Sequence, residues 1–257
     1  MTHCRVDTQG PLLVVTIDRP QAMNALPPDA SAEMAEVFDA FAADPAQRVA
    51  ILTGAGQRAF CAGTDLRQHA EGASVGLPSS GFGGLTARTG LHKPVIAAVN
   101  GAAVGGGFEL VLACDLVVAA AHAWFSLPEV RVGQIARAGG LVRLPQQIPQ
   151  KVALHMALTG RRMPAQEALH LGLVNEVVPE DGDVMVAARA LAHRLLEAAP
   201  LAVQATKEIA SLAARGAHGD AGWGEQDALA LVRAWRASGE RQEGAQAFME
   251  KRPPRWS

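Results

Sequence analysis

Short apolar runs alternate with helical patterns through the first half of the chain, and each run is bounded by Gly, Pro, Asn or Asp. Runs of this length and composition are typical of buried strands. They predict strands over residues 12–17, 49–53, 95–99 and 116–119. The pattern changes to a helical period over residues 31–43 and 107–113, where apolar side chains recur every three or four positions. Alternation of this kind predicts an α/β layered core.

Beyond residue 139 the sequence pattern is mainly that of helices, with one further strand predicted over residues 173–178. Helices are predicted over 151–158, 165–171, 184–198, 201–214 and 223–235. We therefore divide the chain into a core over residues 1–198 and a helical C-terminal region over residues 199–257. Residues 71–84 hold Gly, Ser and Pro with little periodicity, which predicts a mobile loop beside the candidate site described next.

The most informative segment is a triple glycine, Gly105 to Gly107, which follows an apolar strand and opens a helix carrying Glu109. Glycines allow close backbone approach, and a helix N-terminus presents unpaired N–H groups and a positive dipole end. The segment is equally compatible with a tight strand-to-helix connection. Glu109 alone is also compatible with an ion-paired acid or with an acid that caps the helix.

Composition narrows the class of protein. With 257 residues, 49% hydrophobic and 19% charged, the chain can bury a full core, and its net charge of -2 gives no footprint for nucleic acid or an anionic membrane. The three cysteines form no CxxC pair and predict reduced thiols in the cytoplasm. We expect no metal site, and no apolar run is long enough to cross a bilayer.

Several motifs are spread along nearly the whole chain: DRPQAMNAL, AFCAGTDL, KPVIAAVNG, GGGFEL, LPEVRVG, TGRRMPAQEALHLGLVNEVV, APLAVQATKEI and EGAQAFMEKRPPRW. Together they strongly resemble the crotonase superfamily, also called the enoyl-CoA hydratase/isomerase family. Within the family the sequence looks most similar to the carnitinyl-CoA dehydratase subgroup, notably in GFGGLT, GGLVRLP and the C-terminal ending.

The resemblance implies a crotonase (ClpP-like) spiral of repeated ββα units with a C-terminal helical region that drives trimerisation. It implies a homotrimer or a dimer of trimers. The ligand would be an acyl-CoA thioester, so that no separate cofactor is needed, because coenzyme A is part of the substrate.

The resemblance also implies the site. Two backbone N–H groups, those of Ala62 and Gly106, would form an oxyanion hole for the thioester oxygen. Glu109 and Glu129 would be the catalytic acids, with Glu109 activating water for attack on C3 and Glu129 supplying the proton to C2; the two roles could be exchanged. Retention of both glutamates favours hydration or dehydration. An enoyl-CoA isomerase and a noncatalytic acyl-CoA binder remain the alternatives.

Coenzyme A would lie against two segments. The residues implied for substrate and CoA binding are Gln21, Ala22, Met23, Gly63, Thr64, Asp65 and Leu66, with Phe248 and Lys251 as further candidates from a neighbouring subunit. We also expect Asp65 to cap a short helix.

One position departs from the family pattern. Where many hydratases read GTIPGAGG, this chain reads GQIARAGG, which places Arg137 near the expected acyl pocket. The subgroup pattern has an acid there, and a guanidinium would oppose a quaternary ammonium because like charges repel. We hypothesise that Arg137 disfavours carnitinyl-CoA and suits a polar or anionic acyl tail. The alternative is a solvent-facing side chain without a role.

Overall fold

Two β-sheets organise the protein, whose computed structural model describes residues 1–27, 29–65, 76–214, 226 and 229–256. The larger sheet contains, in spatial order, β1 (Cys4–Gln9), β2 (Leu12–Ile17), β3 (Val49–Gly54), β5 (Val95–Val99), β7 (Leu116–Ala120) and β10 (Glu176–Val178). The smaller sheet contains, in spatial order, β4 (Ala59–Cys61), β6 (Ala102–Val104), β8 (Trp124–Ser126) and β9 (Met163–Pro164). All pairings are parallel except β1 with β2 and β8 with β9.

The helices of the described residues pack around these sheets. They are α1 (Ala30–Ala43), α2 (Gly106–Ala113), α3 (Gly140–Gln147), α4 (Gln150–Thr159), α5 (Ala165–His170), α6 (Val184–Leu196), α7 (Pro200–Ala214), α8 (Ala230–Ala237) and α9 (Glu240–Glu250). Short 3-10 helices cover Pro20–Ala22, Phe82–Gly84 and Glu129–Val132.

The central strands of the larger sheet, β2, β3, β5 and β7, are buried on both faces, which explains their continuous apolar runs. Along β2, Leu13 and Val15 join the main core between the sheets, whereas Leu12 and Val14 face a second cluster with Ala188 of α6. Successive side chains of a strand point to opposite faces, so a strand between two apolar layers needs both sets.

Strands of the larger sheet lead into strands of the smaller one, β3 into β4, β5 into β6 and β7 into β8, and this repeat builds a spiral. The buried amide of Asn100 fixes one of these corners. Its Oδ1 accepts from Gly54 N at 3.1 Å, and its Nδ2 donates to Gly56 O at 2.7 Å. Because β4, β6 and β8 are parallel, their C-terminal ends meet at one edge, where the glycine turn lies.

Several expectations need correction. The strand expected over 173–178 is shorter and begins at Glu176, and the four strands of the smaller sheet, α3 and α9 were not predicted. Part of the expected loop lies outside the described residues; its other end holds the buried 3-10 helix Phe82–Gly84, which is not a mobile loop. Of the helix expected over 223–235, the structure describes the end, within α8.

The C-terminal helices are tied to one another and to the core. Glu240 at the start of α9 accepts from Leu201 N and Ala202 N of α7, at 2.9 and 3.0 Å. Lys207 of α7 donates to Lys93 O at 2.9 Å. The division at residue 198 stays a prediction. Within the part of the chain that the structure describes, no helix has the length and apolar character of a membrane span.

Candidate active site

The glycine turn at the start of α2 depends on close backbone contact. Gly105 has φ +55°, a conformation that favours glycine, and its N–H donates to Ser126 O of β8 at 2.9 Å. A Cβ on Gly107 would collide with the carbonyl oxygen of Cys61, at the end of β4. The turn is therefore clamped between β4 and β8, and it leaves the first N–H groups of α2 without intrahelical partners.

Glu109 lies one turn into α2 and is only 3% exposed. Its Oε1 accepts a hydrogen bond of 2.8 Å from the N–H of Gly140, at the start of α3. The pKa of Glu109 is raised to about 7, mainly by burial and also by the nearby charge of Glu129, although the Gly140 N–H and the Arg143 charge act in the opposite direction. A carboxylate in this state exchanges a proton near neutral pH, as a general acid or base requires.

Glu129 begins the 3-10 helix that follows β8 and lies against the glycine turn. A Cβ added to Gly105 would be 3.3 Å from its Oε1. Burial raises the pKa of Glu129 as well, and its Oε2 is buried with no hydrogen-bond partner among the described residues. Glu109 and Glu129, 20 positions apart in sequence, thus lie at the same helix N-terminus, and Glu129 has a free acceptor.

Ala62 and Gly106 are brought to the same place. Ala62 lies between Cys61, which contacts Gly107, and Gly63, where an added Cβ would be 3.1 Å from Gly106 N. The Ala62 N–H donates to Met23 O at 3.1 Å. The oxygen that an oxyanion hole would bind must therefore share or displace this hydrogen bond.

The segment that carries Gln21, Ala22 and Met23 runs beside β4. Leu26 N donates to Gly63 O at 2.8 Å, and Asp65 N donates to Leu26 O at 2.9 Å. Buried Asn24 fixes the turn, since its Nδ2 donates to Ala55 O and Ala59 O at 3.0 and 2.7 Å. The two segments implied for CoA binding are therefore neighbours.

The remaining expected residues differ in their surroundings. Thr64 is exposed, and Asp65 pairs with Arg19 at 3.1 Å; Leu66, and the short helix that Asp65 was expected to cap, lie outside the described residues. Arg137 is exposed, close to the loop that contacts Glu109. Phe248 and Lys251 lie at the end of α9, where Phe248 is 83% exposed, and the structure does not place them with the acids.

The prediction from sequence did not include three residues that support the site. The Phe82 ring packs against Gly106, where an added Cβ would be 2.8 Å from Cε1. Arg143 of α3 fills the place where a Cβ on Gly139 would be and donates to Thr86 O at 2.8 Å. Thr86 Oγ1 in turn accepts from Phe82 N at 2.8 Å. GFGGLT and GGLVRLP contain these residues, but only the fold makes them neighbours.

The two-sheet spiral and the pair of acids at a helix N-terminus define a class of enzyme, and comparison with known proteins identifies the family. The enoyl-CoA hydratase/isomerase family matches residues 7–257, and the chain belongs to this family. The resemblance predicted from the motifs is confirmed.

Among individual relatives, a protein named carnitinyl-CoA dehydratase from Salmonella arizonae is 45% identical over 256 residues, covering 98% of this chain and 97% of the relative. One of the same name from Proteus mirabilis is 46% identical over 259 residues, covering 97% and 96%. The crystal structure of an enoyl-CoA hydratase from Mycobacterium tuberculosis is similar with a TM-score of 0.92 and 42% identity, covering 100% of this chain and 99% of that one. The predicted crotonase-type α/β fold and the predicted hydro-lyase class are confirmed.

Proposed function

We propose that this protein is an enoyl-CoA hydratase that adds water reversibly across the C2=C3 bond of a 2-enoyl-CoA thioester. The observation that carries the proposal is the pair of carboxylates at one helix N-terminus, buried Glu109 and half-buried Glu129, both with raised pKa values. Hydration needs two proton transfers, one from water and one to carbon, and two such groups serve them.

The reaction places negative charge on the thioester oxygen. The N–H groups of Ala62 and Gly106 are the proposed donors to this oxygen, and the positive end of α2 adds to their effect. In this scheme the substrate oxygen replaces or shares the bond between Ala62 N–H and Met23 O. Loss of one oxyanion donor costs about 3–4 kcal/mol in other enzymes.

We assign Glu109 as the base that takes a proton from water as its oxygen attacks C3, and Glu129 as the acid that protonates C2. The hydrogen bond from Gly140 N–H favours the ionised form of Glu109. Two carboxylates around one water titrate as a pair, so apparent pKa values belong to both.

Coenzyme A is proposed to bind along the paired segments 21–23 and 62–66, with Phe248 and Lys251 contributing from a neighbouring subunit. CoA is the substrate handle and water the second reactant, so the proposed reaction uses no further cofactor. A homotrimer or a dimer of trimers is proposed, and the exposed apolar side chains of Phe248 and Met249 are in keeping with a covered surface. The cytoplasmic location stays a prediction that three buried free thiols support.

The acyl group remains open to experiment. Relatives named carnitinyl-CoA dehydratase favour a carnitine-type tail. Arg137 argues against it, because it is an exposed cation only three positions before Gly140, which contacts Glu109, and like charges repel. We propose a polar or anionic tail, and an unchanged substrate ranking in Arg137→Asp would overturn this part.

Oxygen-labelled water tests the reaction class. Purified protein is incubated in it with short, branched, aromatic and carnitine-type 2-enoyl-CoAs. A hydratase puts the label into the carbinol of the product. A moved double bond without label identifies an isomerase, and unchanged substrate throughout identifies a binding protein.

A further inference from the structure

A cavity of about 540 Å³ lies on the outer face of the smaller sheet. Trp124 and Ser126 of β8 line it, whereas Phe125 between them faces the main core. Further lining residues are Val104, Pro128, Arg131, Gly160, Arg161 and Arg162. A volume of this order suits a small organic ligand.

The cavity concentrates positive charge in a protein of net charge -2. Its lining includes three arginines, and no carboxylate of the described residues lines it. Arg161 is balanced by a two-pronged ion pair with Glu167, with one hydrogen bond at 2.9 Å. Arg131 and Arg162 have no carboxylate within salt-bridge distance among the described residues.

Contacts with neighbouring residues hold the arginines in place and leave some of their guanidinium N–H donors available to a ligand. Arg131 donates through Nε to Thr159 O at 2.8 Å, and this bond leaves its terminal nitrogens uncommitted. The Arg162 guanidinium stacks on the Trp124 ring, 4.1 Å from the centroid. Arg161 Nε is buried without a partner among the described residues. An unpaired buried donor costs free energy, which a ligand acceptor would recover.

The cavity is offset along the smaller sheet from the segments proposed to bind CoA, and it comes nearest to them where the carbonyl oxygen of Val104 lies close to Gly63. Those segments adjoin β4, the far edge strand of the smaller sheet, whereas the cavity lies over β6, β8 and the loop before β9. Strands are spaced about 4.8 Å apart, so β4 and β8 are about 10 Å apart.

We propose that the Trp124 cavity is a separate binding site for a small organic ligand that carries a phosphate or carboxylate group. Guanidinium groups present paired donors that match both oxyanions, and Trp124 and Val104 offer apolar surface to the rest of the ligand. The site goes beyond the hydratase reaction and does not depend on it.

Titration calorimetry at constant ionic strength tests the proposal, with pyrophosphate and citrate as probes of the two oxyanion classes. We expect saturable binding of at least one probe, weakened at least tenfold in the double variant Arg131→Gln/Arg162→Gln. Arg162→Lys, which keeps the charge, should lose less. Arg194→Gln, at an exposed position of α6, is the matched control and should bind as the unaltered protein does.

Three results would overturn the proposal. One is the absence of saturable binding, or equal binding in the double variant and the unaltered protein. Another is competition of CoA with the probe at this site, which would make the cavity part of the CoA site. The last is a change of oligomeric mass in the double variant by light scattering, which would make a second copy of the chain the occupant. Thermal unfolding of each variant shows whether a loss of binding comes from misfolding. If the double variant is misfolded, the comparison of Arg162→Lys with the unaltered protein decides the test.

Discussion

Gly140 N–H donates a hydrogen bond of 2.8 Å to Glu109 Oε1, joining two residues that are 31 positions apart in the chain. The contact fixes the direction of a carboxylate that burial would otherwise disfavour. A Cβ on Gly140 would be 3.0 Å from Glu109 Cγ, so a larger residue there would push the carboxylate out of this position. The start of α3 thus orients the acid that α2 carries.

Removing either acid should abolish most of the activity. We expect Glu109→Gln and Glu129→Gln each to lower kcat for 2-enoyl-CoA hydration by at least about 10²-fold, because each change removes one proton transfer while keeping the shape. Steady-state kinetics measure this, with Glu180→Gln at an exposed position as the control. Unchanged turnover in either variant would argue for a noncatalytic role.

The buried charge of Glu109 should make stability fall as pH rises. Its folded pKa of about 7 lies above the value of 4.5 for a free side chain, so the folded state holds the proton more tightly. The stabilisation is complete below about pH 4.5 and is lost as pH rises through 7.

At pH 8 the free energy of unfolding of Glu109→Gln should therefore exceed that of the unaltered protein by up to about 3 kcal/mol. At pH 5 the difference between the two proteins should be small. Urea unfolding at both pH values measures this. Glu180→Gln supplies the baseline, and parallel curves for Glu109→Gln and the unaltered protein would contradict the expectation.

Gly107→Ala should destabilise the clamp between α2 and β4. The new Cβ would meet the Cys61 carbonyl oxygen, a backbone atom that cannot rotate away. We expect a loss of about 1–3 kcal/mol in unfolding free energy, as for overpacked cores. Gly76→Ala is the control because an added Cβ there has no neighbour within 4 Å among the described residues. Equal unfolding midpoints for the two variants would disprove the clamp.

Arg143 should act as a positioning residue for Glu109. Its charge lowers the pKa of Glu109, and its bond to Thr86 O ties α3 to the turn that carries Phe82. In Arg143→Met the acid limb of the pH profile of kcat/KM should move to higher pH, with Arg143→Lys shifted less. A loss of activity without any shift of the limb would reduce Arg143 to a structural role.

The sequence analysis found those elements whose burial leaves a clear pattern of apolar residues along the chain. Strands such as β2 and β5 are apolar runs because both faces of the larger sheet are covered, and α1 shows a helical period because one face is covered. The three-residue strands β4, β6 and β8 carry too few residues for any period, so their existence depends on pairing with one another.

For the site, the residues alone were enough to identify the glycine turn, both glutamates and, through motifs, the family. These are properties of residue type and order along the chain. The folded protein was needed to see that Gly140 and Arg143 support Glu109, that Met23 O accepts from the Ala62 N–H, and that three arginines meet near Trp124. Each of these is a contact between distant segments, and its free energy depends on distance and burial, which residue order does not specify.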